Sequence, residues 1–281
     1  MVGASIVSVQ LGAAVASSLF ERVGAPGTVL LRQGLAAVVL LAIARPRLVG
    51  RPRRDWLLVC VFGLVLAAMN VCFYEAVERL PLGVAVTIEL FGPLGLAASL
   101  SRRTREFAYV LLAAVGVVLL GGATRHLDRG GVAFALIAAV GWAGYILLSR
   151  KTGRHFDGVD GLALAMAVAT LAVAPLGVAT GGMRLFEPRA LMIGLTVAML
   201  SAAIPFTLEI HALRSVSTRT FSVIMSTSPA VAAGMGWLVL NESVGALQAV
   251  AIGCVVAASA GTALSTDAVP RLLSSSGHTK L

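Results

Sequence analysis

The sequence predicts an all-α integral membrane protein: ten transmembrane helices as two inverted five-helix repeats. Three observations carry that expectation. First, of 281 residues 58% are hydrophobic and only 12% charged, with a mean hydropathy of +0.93, whereas a soluble domain carries about 25% charged residues. Second, apolar runs recur ten times at near-even spacing, each close to the ~20 residues that a spanning helix needs. Third, residues 74–93 (YEAVERLPLGVAVTIELFGP) pair without a gap with residues 210–229 (IHALRSVSTRTFSVIMSTSP), an offset of 136. Ala76 falls on Ala212, Val77 on Leu213, Leu80 on Val216, Ile88 on Ile224 and Pro93 on Pro229. Each half holds an odd number of spans, so the halves face opposite ways in a bilayer.

The spans fall at 2–20, 27–45, 56–79, 82–100, 107–123, 131–149, 159–179, 190–211, 217–240 and 244–265. They divide the chain into a first repeat, 1–125, a second repeat, 131–265, and a Ser-rich polar tail, 266–281, expected to be disordered and cytoplasmic. The span at 2–20 lacks a basic leader and runs directly onward, so it reads as a first helix rather than a cleaved signal. In the fourth span, Gly92-Pro93 sits near the midpoint. Proline removes an i→i−4 hydrogen bond, which frees a carbonyl near residue 89 and bends the helix. Pro205 in the eighth span and Pro229 in the ninth are expected to break their helices likewise. The ninth also carries Thr220, Ser222, Ser226, Thr227 and Ser228 within nine residues. Such hydroxyls bond back to their own helix or line a polar cavity, and their density points to the cavity. In the tenth span Gly253, Ala257 and Gly261 form a small-xxx-small stripe that lets backbones approach. A transmembrane β-barrel would show alternating segments of about ten residues instead.

Charge orients the spans. Loops on the side of the N-terminus, with the tail, hold fifteen Lys/Arg; the opposite loops hold Arg22, Arg79, Arg125, Arg129, Arg184 and Arg189. The positive-inside rule then places both termini in the cytoplasm of a multi-pass protein. This topology absorbs the net charge of +9, and the basic loop Arg45–Arg54 lacks the aromatic-lined basic face that nucleic-acid binding requires. Cys60, Cys72 and Cys254 lie within spans and show no CxxC spacing or neighbouring His pair, so neither a disulfide framework nor a metal site is indicated.

The informative residues are polar ones placed where water is absent. A charge at the bilayer centre costs roughly 2.5–3.5 kcal/mol on insertion scales, which makes each a candidate for function. Glu89 lies seven residues into the fourth span, ~10 Å deep at 1.5 Å per residue, beside the Gly92-Pro93 break. That position suits proton or substrate coupling. Glu209 lies four residues after Pro205, nearer the cytoplasmic end. Asn70 and Tyr74 share a face of the third span, while Glu78 reads as solvated. Trp142 and Tyr145, at i and i+3, fit an aromatic wall for a small ligand. Gln10 and Arg32 complete the buried polar set. Arg32 either holds a substrate carboxylate in a fork of N–H donors or neutralises Glu89 permanently; the residues alone leave both open.

Three stretches carry a family resemblance: QLGAAVASSLFERVGAPG at 10–27, FYEAVERLPLGVAVTIELFGPL at 73–94 and IPFTLEIHALRSVSTRTFSVIMSTSPAVAA at 204–233. In these the chain resembles the EamA-type ten-helix permeases of the drug/metabolite transporter superfamily, within them the threonine/homoserine exporter branch. The resemblance covers essentially the whole chain. It implies a bacterial inner-membrane exporter of small metabolites, most often driven by proton exchange. Substrate-binding positions would be Gln10, Arg32, Asn70, Tyr74, Glu89, Trp142 and Tyr145, with Glu89 and Glu209 in proton coupling. One departure stands out: the branch carries Glu before the ninth-helix proline, and this chain carries Ser228.

The expected partners are therefore an amino acid or similar metabolite, protons and the lipid bilayer, with no cofactor, metal or nucleic acid. No GxxxxGK[ST] run supplies an ATP motor, and no HExxH or GxSxG motif supplies an enzyme. A broader exporter of drugs or nucleosides is the nearest alternative, and a non-transporting receptor or scaffold the alternative of another class.

Overall fold

The computed structural model describes residues 1–46, 50–100, 104–123, 128–157, 159–205, 208 and 223–265. Ten helical segments follow in order: α1 (Val2–Ser17), α2 (Phe20–Ala44), α3 (Arg53–Arg79), α4 in two pieces (α4a, Leu82–Glu89; α4b, Phe91–Leu100), α5 (Thr104–Ala123), α6 (Arg129–Thr152), α7 (Asp160–Gly181), α8 (Pro188–Ala198), α9 (Ser228–Leu240) and α10 (Ala246–Ser265). Among the described residues seven stretches are long and apolar enough to cross a membrane, while Val2–Ser17 and Pro188–Ser201 are apolar but shorter. No strand occurs among the described residues. The tail 266–281 and Glu209 lie outside them.

Helix packing repeats when the halves are exchanged. The contacts of α3 with α6 are matched by those of α1 with α8 and its following turn, α3 with α7 by α2 with α8, and α4 with α6 by α1 with α9. Three further pairs, α2 with α7, α4 with α9 and α5 with α10, map onto themselves. A pseudo-two-fold axis running between the halves produces this pattern, the architecture of inverted-repeat transporters.

Two departures from the sequence reading have local causes. The second helix begins at Phe20 rather than near residue 27, since 20–27 continues helically apart from a kink at Gly24 (φ 72°, ψ 168°). Only glycine takes that φ without strain, and Pro26, its φ already fixed near the helical value, starts the next turn. The eighth helix is regular only to Ala198. It then widens into a π turn over Met199–Ala203, with the Ile204 N–H reaching the Met199 carbonyl. Pro205 lies directly beyond and has no N–H to continue the ladder. Ser8 of α1 donates to the Leu200 carbonyl at 2.8 Å, so the irregular backbone finds a partner inside the protein, as any backbone at membrane depth must.

Gly92 decides how closely α4 approaches α6. A Cβ there would overlap the Ala139 carbonyl, whereas at Gly95, one turn on, it would meet nothing. Gly92→Ala should therefore destabilise by about 1–3 kcal/mol, the usual cost of overpacking, and Gly95→Ala should be neutral or slightly stabilising. Thermal melting of both purified variants checks the pair; equal melting temperatures would mean that α4 and α6 can separate freely.

Candidate functional site

The fourth helix breaks where its sequence dictates. Pro93 offers no N–H to the carbonyl of Glu89, so α4a ends at Glu89, Leu90 makes a turn and α4b begins at Phe91. The ninth helix breaks at the equivalent place: residues 223–225 are helical, Ser226 and Thr227 turn, and α9 resumes with Pro229 in its first turn. Here the hydroxyls mend the gap. Ser226 Oγ donates to the Val223 carbonyl at 2.6 Å, Thr227 Oγ1 to Ile224 at 2.7 Å and Ser228 Oγ to Met225 at 2.7 Å. These three are thus helix repairs rather than the polar cavity wall expected of them. Thr220 and Ser222 lie outside the described residues.

Around the α4 break the structure gathers part of the expected polar set. Glu89 remains partly accessible although protein surrounds it, and the positive charge of Arg32 acts on it. Arg32 reaches across from α2 to α3, donating from Nη1 to the Tyr74 hydroxyl at 3.1 Å, with its guanidinium carbon 5.4 Å from the ring centroid. Among the described residues neither Arg32 nor Glu89 forms an ion pair within 4.0 Å. Tyr74 is 1% exposed. Its ring is held edge-on by Phe20 at 5.8 Å and Phe73 at 5.7 Å, a geometry that aromatic quadrupoles favour.

The other candidates have separate neighbours. Asn70 is buried and donates to the Leu66 carbonyl of its own helix at 2.8 Å. Gln33, which the sequence reading passed over, is wholly buried and turns its Nε2 toward the same carbonyl at 3.5 Å. The available signal was an amide next to Arg32 inside a span. Gln10 is buried on α1, and its Oε1, like that of Gln33, has no hydrogen-bond partner among the described residues. Tyr145 stacks obliquely on Phe62 at 5.7 Å. Trp142 instead joins the apolar cluster of Leu90, Leu94, Ala113, Val255 and Ala258, so the two rings of α6 meet different partners.

Charges collect at the two ends. On the face opposite the termini, Arg79 contacts Glu75 and lies 3.7 Å from Asp128 and 4.0 Å from Glu78, so Glu78 is part of an ion-pair cluster as well as half-exposed. On the face of the N-terminus, His155 Nδ1 sits 3.0 Å from Asp55 Oδ1 and Arg51 3.8 Å from Asp160.

A ten-helix bundle whose two halves pack alike, with the charge of Arg32 acting on Glu89 at a broken helix, has the architecture of the inverted-repeat secondary transporters. The chain belongs to the EamA-like transporter family, whose family model matches residues 129–264, α6 to α10. It is 38% identical over 263 residues to the threonine/homoserine exporter RhtA of Escherichia coli K12, covering 92% of this chain and 89% of that protein. The exporter of the same name from Salmonella typhimurium SL1344 is 38% identical over 268 residues, covering 94% and 90%. One solved crystal structure shares the fold at a TM-score of 0.61 and 19% identity, covering 94% of this chain and 95% of that one.

Proposed function

We propose that this protein exports small zwitterionic metabolites, amino acids such as threonine and homoserine, across the bacterial inner membrane in exchange for protons. The observation that carries the reading is Arg32, a cation at membrane depth bonded to a neutral phenol, whose charge acts on Glu89 without an ion pair between them among the described residues. Leaving two opposite charges apart in a low-dielectric site is costly unless a third charged species completes it. An amino acid supplies both complements: its carboxylate accepts the Arg32 fork and its ammonium meets the Glu89 carboxylate. Substrate and proton then compete for Glu89, which is the essence of exchange. The sequence relation to the two RhtA exporters supports the substrate class.

In this reading Tyr74 orients Arg32, Gln10 and Asn70 add polar contacts, Tyr145 with Phe62 bounds the site, Trp142 packs outside it, and Glu209 is the second proton carrier. The breaks at Pro93, Pro205 and Pro229 let the halves, 1–125 and 131–265, rock about the site and expose it alternately to each side. The test is efflux of threonine or homoserine from proteoliposomes with and without a pH gradient. Accumulation that follows the gradient is the expected result. Gradient-driven movement of drugs or nucleosides but not amino acids would assign the other exporter class, and no movement of any solute would leave a receptor.

The charge asymmetry predicts that both termini are cytoplasmic. After replacement of the native cysteines, Arg53→Cys should be protected from an impermeant thiol reagent in intact cells, and Gly245→Cys should label. The reverse pattern would invert the topology and make the proposed export an uptake.

A further inference from the structure

A carboxylate outside the membrane spans caps a helix of the other half. Glu242, in the turn between α9 and α10, receives the Leu82 N–H at 3.1 Å from each of its oxygens. Leu82 opens α4a, the eight-residue stub that ends at Glu89. Its own N-cap residue, Pro81, provides no side-chain cap, so the acid from the other repeat fills that role. The local chain is shaped to deliver it. Asn241 adopts a left-handed conformation (φ 56°), and the Glu242 N–H returns to the Gly236 carbonyl at 3.1 Å, turning the side chain back toward α4. A Cβ at Gly236 would collide with the Glu242 carboxylate.

The charge is isolated. Glu242 is the sole charged residue between Arg219 and Asp267, so α9 and α10 contribute none. On α4a the only charge is Glu89, at the far end. Beyond it, Arg79 precedes the α3–α4 turn and is engaged by Glu75, Glu78 and Asp128, and Arg129 begins α6. Among the described residues none of these pairs with Glu242. At the repeat offset its counterpart is Glu106, so both halves carry an acid at this register.

We infer that Glu242 is a positioning residue for transport: ionised, it clamps the α4a stub and fixes Glu89, and its protonation from the face opposite the termini loosens that clamp. An ionised acceptor at a helix N-terminus makes a stronger bond than a neutral one, so protonation weakens the hold. The stub is free to respond because the Leu90 break uncouples it from α4b. Burial pushes the Glu242 carboxyl above the usual carboxylate range, while the Leu82 amide pulls it down. The clamp is therefore tight above that raised value and loose below it. A proton arriving at this face would act first on Glu242, and the stub would then present Glu89. The inference rests on the proton-exchange reading above.

The test uses the full chain, native cysteines replaced, with Val84→Cys as reporter on the buried face of α4a. Labelling by an impermeant maleimide is followed as pH falls on the face opposite the termini, without substrate. Labelling should rise about fivefold, the change in opening expected from losing a helix cap. In Glu242→Gln it should be fast at every pH, and in Glu242→Asp the pH response should return. In proteoliposomes Glu242→Gln should flatten the dependence of transport on that pH while leaving substrate affinity unchanged. A Glu242→Gln protein with lower thermal stability but an unaltered pH response would overturn the inference and leave Glu242 a structural cap. An unaltered pH response in labelling would do the same. Labelling needs no transport, so a failure of export in the parent protein would refute the function and leave this result to stand alone.

Discussion

Glu89→Gln should insert and fold normally, lose all gradient-driven efflux and keep exchange of substrate for substrate. The amide preserves the volume of the carboxyl and its place at the end of α4a, whose break depends on Pro93 and not on the side chain. It removes the proton that the mechanism binds and releases, while the amide oxygen still accepts from the substrate ammonium. Proton-coupled accumulation should therefore fall to background, while substrate carrying its charge past a fixed neutral amide still equilibrates. The measurement is amino-acid accumulation in proteoliposomes under an imposed pH gradient, beside counterflow with no gradient. If the Gln variant still concentrates substrate, coupling resides elsewhere, and Glu209 is the next acid to replace. Loss of counterflow along with accumulation would instead make Glu89 a contact that substrate binding cannot lose.

What the sequence disclosed follows from the range over which each signal acts. Ten helices were legible because membrane thickness sets the length of most apolar runs, although Val2–Ser17 and Pro188–Ser201 fall short of it. The break after Glu89 was legible because a proline acts on a carbonyl four residues away. The offset between 74–93 and 210–229 disclosed a repeat but no helix pairing; the matching of α3 with α6 by α1 with α8 comes from the packing. What stayed hidden depends on direction. A hydroxyl at Ser226 or Ser228 has the same sequence signature whether it points into a cavity or back to its own helix, and only the broken geometry of residues 226–227 selects the second. Trp142 and Tyr145, 60° apart on an ideal helix, looked like one wall, yet the packing of α4b and α10 draws Trp142 away. Gln33 was overlooked beside its charged neighbour. Glu242 carried no local signal, because its partner amide lies in the other repeat.

Arg32→Lys tests the substrate class most directly. A buried guanidinium offers two parallel N–H donors to a carboxylate, and the compact ammonium of lysine cannot reproduce that fork. Nη1 donates to Tyr74, and the guanidinium carries about four further N–H donors. Losing a charge-assisted hydrogen bond costs about 1.5–3 kcal/mol, roughly a 10- to 150-fold loss of affinity. Amino acids should suffer that loss, and their methyl esters, which lack the carboxylate charge, should bind the variant and the parent alike. Tyr74→Phe should give a smaller loss of the same selectivity, since the ring stays fixed between Phe20 and Phe73 while only the acceptor disappears. Should Arg32 instead serve to neutralise Glu89, Arg32→Gln would fold poorly, stranding a buried acid at about 3–5 kcal/mol, and Arg32→Gln with Glu89→Gln would recover. The absence of an ion pair between the two among the described residues argues for the first outcome. Ligand binding and melting temperature, measured together on the four variants, separate them: equal losses for acid and ester in a stable Arg32→Lys protein would remove Arg32 from the substrate site altogether.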